Sequence, residues 1–190
     1  MIRNAVFIHV PRTNGNTVKM MYRDHIYYFS HDTALQVRKR LNYKWNDAWS
    51  FSFVRNPWER MISLYYYFRE SRHEKMQTDL DWQREDFHTW LYTPYMSKKG
   101  YEWVTKQCPV NMLCDEDGRK IVDHVFRFED LRGSHDDIAL ALGIKPIALR
   151  HRKRSEFKNH TVRELVVEPE DKELIAVNGA WEIEKFGYTF

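Results

Sequence analysis

An α/β fold built on a parallel sheet is predicted by three features of the sequence. Two short, nearly continuous apolar runs, at 5–10 and 51–54, have the character of strands buried on both faces. Each feeds a turn-rich segment and then a stretch with helical periodicity. A third strand-to-helix succession lies at 122–142. Repetition of strand, loop and helix is the pattern of βα units with parallel strands.

The first strand is Ala5-Val6-Phe7-Ile8-His9-Val10, ended by Pro11. Thr13-Asn14-Gly15-Asn16-Thr17 is a turn-rich loop, and a helix starts near Val18 with Asn16 or Thr17 as N-cap. A second helix is expected over 32–41, where Leu35, Val37 and Leu41 alternate with basic residues. The strand at 51–54 runs into Arg55-Asn56-Pro57-Trp58-Glu59: Asn56 suits the N-cap, Pro57 the first helical position, and Glu59 completes a capping-box pattern. Apolar residues at Trp58, Met61, Ile62, Tyr65 and Phe68 give this helix one buried face. Residues 70–85 are polar and charged, a solvated loop or frayed helix, and 87–92 form a short amphipathic helix. A strand at 122–128 precedes a helix at 129–142 that ends at Gly143. A basic stretch at 150–158 leads into a last helical region at 161–178.

With 190 residues, the chain suits one domain or at most a cramped two, and a single domain spanning 1–190 is expected. Apolar residues make up 43% and charged residues 30%, enough to bury a core and too apolar for a disordered chain. Seven Gly and six Pro exclude collagen-like and linker-dominated architectures. A net charge of +3 favours an anionic ligand but falls well short of a nucleic-acid-coating protein. No run approaches the ~18 apolar residues of a membrane span, and the start lacks signal-peptide anatomy, so a cytoplasmic location is expected. In that setting Cys108 and Cys114 read as two partly buried thiols in preference to a small disulfide loop. Two cysteines without paired histidine spacing make no zinc site, and no metal is expected.

Two loops carry chemistry. Strand, then Pro11 to Thr17, then helix, makes a cradle of backbone N–H groups with a favourable dipole for an anion. Arg12 adds a fixed positive charge, and Thr13 and Thr17 add hydroxyls. The competing reading is an ordinary βα connection with a surface arginine. A nucleotide-triphosphate loop is excluded, because G-x-x-x-x-G-K-[ST] needs a second glycine and an adjacent Lys and hydroxyl that serve phosphate and Mg²⁺. Here there is one glycine, and Lys19 lies well inside the helix. In the second loop, Arg55 ends a buried strand, where a guanidinium is costly unless paired. A phosphate held by Arg55, with a hydroxyl from Ser63, meets that demand; so does a carboxylate such as Glu59.

Taken together, the two loops resemble the sulfotransferases that use 3′-phosphoadenosine 5′-phosphosulfate (PAPS), in particular carbohydrate sulfotransferases of the heparan-sulfate 2-O type. The segment from Val6 to Thr17 is similar to the family's 5′-phosphosulfate loop, a strand followed by Pro-Lys-Thr-Gly-Gly-Thr. The segment from Phe51 to Tyr65 resembles the 3′-phosphate motif nearly position for position, including Arg55 and Ser63. Phe126-Arg127-Phe128-Glu129-Asp130-Leu131 resembles a later strand and turn, and Phe186-Gly187-Tyr188 the family's ending.

The resemblance implies a P-loop-like parallel sheet flanked by helices, a minimal sulfotransferase fold with PAPS across the strand ends. Arg12, Thr13, Asn14, Gly15, Asn16 and Thr17 would hold the 5′-phosphosulfate, and Arg55 and Ser63 the 3′-phosphate. Sulfuryl transfer to an acceptor hydroxyl, of a saccharide, would leave adenosine 3′,5′-bisphosphate (PAP), with no metal required. His31, just before a helix, matches the family's general base, while local packing or capping is the competing reading. His9 reads as a supporting residue within its strand, and the other seven histidines as solvated surface. In the basic stretch, Arg154 and Ser155 fall where the family has a Ser-bearing loop that closes over the nucleotide, with a solvated basic turn as the competing reading. Two departures stand out. The family's loop Lys is Arg12, which keeps the charge but does not readily give up a proton, and the first loop glycine is Asn14, which tolerates left-handed backbone. Competing functions are a non-catalytic relative that binds PAP, PAPS or a glycan and, less favoured, a nucleotide kinase.

Overall fold

The computed structural model describes residues 5–70, 86–92, 108–148 and 161–190. In chain order the elements begin with β1 (Ala5–Ile8), α1 (Gly15–Tyr22), β2 (Ile26–Tyr28), α2 (Ala34–Leu41), a 3₁₀ turn (Asn42–Trp45) and β3 (Trp49–Val54). There follow α3 (Pro57–Glu70), α4 (Phe87–Tyr92), α5 (Pro109–Leu113) and β4 (His124–Arg127). A 3₁₀ turn (Phe128–Asp130) leads into α6 (Leu131–Leu142), and α7 (Val162–Leu165), α8 (Pro169–Asn178) and α9 (Ala180–Phe186) complete the set. The chain divides into two compact units, Met1–Arg55 with Gln107–Arg152 and Asn56–Lys106 with Lys153–Phe190.

The first unit holds the sheet, in the order β2-β1-β3-β4, with every neighbouring pair parallel. The expected α/β class with a parallel sheet flanked by helices is what the molecule adopts. Side chains alternate faces along a strand, so Phe7 stands level with Tyr28 and Phe51, and Phe53 with Phe126. The Phe7 and Phe51 rings lie 5.2 Å apart and those of Phe53 and Phe126 5.4 Å apart. With Ala5, Val18, Tyr22, Ile138 and Leu142 they form the core between this face of the sheet and helices α1 and α6. Two polar contacts fix strand register. The buried Ser52 hydroxyl donates to the Ile8 carbonyl at 2.7 Å, and Asp123 accepts from the Ser50 amide and hydroxyl, both at 2.7 Å.

The expected strand at 5–10 stops at Ile8, before the proline that has no N–H for a ladder. Strand β2 was not expected. It is a half-buried segment of three residues, too short to show a period. Helix α1 starts at Gly15, earlier than expected, with Asn14 as its N-cap. Helix α2 starts at Ala34, two residues later than expected, because Thr33 and Gln36 form a reciprocal capping box. Helix α6 ends at Gly143 in the left-handed conformation (φ 67°), as expected. Cys108 and Cys114 are both buried thiols, flanking α5.

The second unit is helical among its described residues. The Asn56 carboxamide oxygen caps α3, accepting from the Trp58 and Glu59 amides at 3.1 and 3.3 Å. Buried Arg60 faces buried Glu182 at 3.6 Å; burial raises the Glu182 carboxyl above its ordinary range, and Arg60 opposes that rise. Tyr65 packs on Phe87 and Trp90. The helical region expected at 161–178 is broken into α7 and α8, because Pro169 cannot donate to the preceding turn and starts a new helix at its first position. The stretches 70–85 and 150–158 lie, after Glu70, outside the described residues.

Candidate active site

The site is assembled where β1 ends. Beyond Pro11 the chain takes Arg12 (φ 67°) and Asn14 (φ 79°, ψ 10°) through the left-handed region, which side-chain-bearing residues occupy at a cost of about 1–2 kcal/mol each. Such strain persists only where the surroundings hold it. Here the Asn14 carbonyl accepts the Thr17 and Val18 amides at 3.0 and 3.2 Å. Its side-chain amide donates to His135 Nε2 at 3.0 Å. Thr13 is fully buried, and its hydroxyl donates to the Val10 carbonyl at 2.6 Å. That bond uses its one hydrogen, so the hydroxyl expected to serve an anion serves the turn instead. What Thr13 has left to offer is its backbone N–H.

Gly15 opens α1 directly against the His9 imidazole, and a Cβ added at Gly15 would fall within that ring. His9 is buried, its ring 5.8 Å from that of Phe7, 6.0 Å from Tyr28 and 4.8 Å from His31. The Tyr28 hydroxyl lies 3.3 Å from His9 Nδ1. Burial, reinforced by the charges of His31, Arg12 and Lys19, pushes the His9 pKa down from 6.5 to about 3, so His9 is neutral at pH 7. His31 sits in the turn after Ser30 (φ 46°) and before the α2 cap, and is exposed. Desolvation lowers its pKa, and a hydrogen bond to the His9 backbone opposes that shift. A neutral, accessible imidazole therefore stands beside the loop.

The surrounding charge is positive. Arg12 is half-buried on the loop, and the Lys19 ammonium lies 5.0 Å over the Tyr28 ring. The first turn of α1 contains no acidic residue, so the partial positive charge of the helix start is not offset there. Arg55 leaves β3 at the same end of the strands, the carboxyl end, as the β1 loop, since β1 and β3 are adjacent and parallel. It is only 6% exposed, and its guanidinium lies 4.4 Å over the Phe128 ring.

The structure thus brings together, in one unit, Arg12, Thr13, Asn14, Gly15, Asn16, Thr17 and His31, with Arg55 on the adjacent strand end. Ser63 is half-buried on α3 and belongs to the second unit. Arg154 and Ser155 lie outside the described residues. One expectation is corrected: His135 is not solvated surface. It is 2% exposed on α6, because it falls in the stripe with Ile138, Ala139 and Leu142, spaced three, four and seven residues on. That stripe is the sequence signal that would have revealed it. Burial lowers its pKa from 6.5 to about 4.

The sulfotransferase family model matches residues 6–174, all but the ends of the chain. The chain belongs to the sulfotransferase family, whose members transfer a sulfuryl group. No curated protein and no solved structure matches it. No helix among the described residues is long and apolar enough to cross a membrane. Among the same residues, no group of three or more His, Cys, Asp or Glu side chains could hold a metal ion.

Proposed function

We propose that this chain moves the sulfuryl group of PAPS to a carbohydrate hydroxyl, in the manner of the heparan-sulfate 2-O enzymes it resembles. The observation that carries the reading is a neutral His31 whose ring lies 4.8 Å from that of His9, which in turn packs on the glycine opening α1. A proton acceptor is thereby placed beside a cationic, helix-led loop suited to an anion.

The donor supplies an activated sulfate whose bond to phosphate breaks as a new sulfur–oxygen bond forms to the acceptor. The amides of residues 13–16, the Thr17 hydroxyl and the Arg12 side chain hold its 5′ end, and Arg12 stabilises the charge that builds on the departing phosphate oxygen. His31 takes the proton of the attacking hydroxyl. Its lowered pKa keeps it in the accepting form at neutral pH. Arg55 holds the 3′-phosphate, with its guanidinium plane kept in place by Phe128. Ser63, Arg154 and Ser155 enter this reading on the family's motifs alone. Arg12 in the position of the family's lysine favours a second reading, a PAP- or glycan-binding relative without turnover, because arginine does not donate a proton.

Calorimetry with PAP tests the donor site. The wild type binds PAP, and Arg55→Ala weakens binding by about ten- to a hundredfold, the value of one or two charge-assisted hydrogen bonds. Equal affinity in the two proteins would remove Arg55 from the phosphate site.

A further inference from the structure

Asparagine at an N-cap normally spends its side chain on the N–H groups of the first turn. Asn14 does not: it makes no side-chain cap bond, and its amide donates across to His135 Nε2 instead. A neutral imidazole carries one donor and one acceptor nitrogen. With Nε2 accepting from Asn14, Nδ1–H donates to the Tyr22 oxygen at 2.8 Å, and the Tyr22 O–H donates to the His135 carbonyl at 3.2 Å. The rings of Tyr22 and His135 stack at 5.5 Å. The His135 Nδ1–H and the Tyr22 O–H each have an acceptor, and Nε2 has a donor, which fixes the tautomer and the ring orientation.

We infer that His135 is a positioning residue for the anion loop, holding Asn14 in its left-handed conformation and drawing its amide away from the first turn of α1. The N–H groups of Gly15 and Asn16, which open that turn ahead of the two amides bonded to the Asn14 carbonyl, are thereby left to the 5′-phosphosulfate, so the inference rests on the donor reading given above. It also accounts for the departure at this position. A glycine adopts left-handed backbone without support, whereas Asn14 is held there by a partner 121 residues away. His135 and Asn14 are therefore coupled, and with glycine at residue 14 the histidine loses its purpose in the loop.

The test is a double-mutant cycle with two readouts. In the ligand-free protein, amide hydrogen exchange at residues 15–18 accelerates about tenfold in His135→Ala and is unchanged when His135→Ala is added to Asn14→Gly. PAP affinity follows the same pattern: a loss of about tenfold in His135→Ala, and no further loss when it is added to Asn14→Gly. Equal effects in both backgrounds would show His135 to be a packing residue only and overturn the inference, as would no effect in either. If His135→Ala does not fold, Tyr22→Phe carries the same comparison with a smaller effect, about threefold, since it removes the bond to Nδ1 and keeps the ring. Coupled exchange in a protein that fails to bind PAP would overturn the donor reading and leave the positioning of the loop standing.

Discussion

Lowering the pH from 7 to 5 requires the unfolded chain, but not the native one, to take up protons at His9 and His135. Burial depresses both groups in the fold, His9 to about 3 and His135 to about 4, from 6.5 in the unfolded state. The stability each neutral ring confers is complete above pH 6.5 and declines as pH falls toward the folded value. By pH 5 the loss is about 2 kcal/mol for each, or ~4 kcal/mol together. That is a large share of the ~5–15 kcal/mol that holds a typical domain. His88 works in the opposite direction, since its hydrogen bond to Asp171 raises its pKa, but it is exposed. Urea denaturation at pH 7, 6 and 5 reads the sum. His135→Gln, which cannot be protonated, loses about half of the pH dependence. A wild type equally stable at pH 7 and 5, or a His135→Gln variant with the full wild-type slope, would refute the reasoning.

Gly15→Ala drives a methyl group into the His9 ring and should destabilise the protein by about 1–3 kcal/mol while weakening PAP binding; unchanged urea midpoint and affinity would contradict the contact. His31→Ala should lower turnover by about 10²–10⁴ with PAP affinity unchanged. Wild-type turnover should rise with pH through a pKa below 6.5, where His31 loses its proton, and that limb should vanish in the variant; a limb that survives would remove His31 as the base.

The central strands are legible because β1 and β3, covered on both faces, are almost wholly apolar, the buried Ser50 and Ser52 of β3 being hydrogen-bonded. Strand β2 was not, because three half-buried residues carry no period. The buried guanidinium of Arg55 could be read from its place at a strand end, whereas its ring partner Phe128 could not, since sheet register decides which distant residues meet. The same holds for Asn14. The sequence shows a residue that tolerates left-handed backbone, but not the histidine on α6 that holds it there. By residue type Thr13 offers a hydroxyl toward the ligand, but burial turns that hydroxyl inward to Val10.

Sulfuryl transfer itself is the most direct measurement, made with labelled PAPS at saturation against a panel of saccharide acceptors. The wild type and Arg12→Lys are expected to transfer label, and Arg12→Ala to do so about 10²–10³-fold more slowly while still binding PAP, because the loop cation stabilises the departing phosphate. Transfer by Arg12→Ala at the wild-type rate would contradict that role, and binding of PAP by all three forms with transfer by none would contradict the catalytic reading.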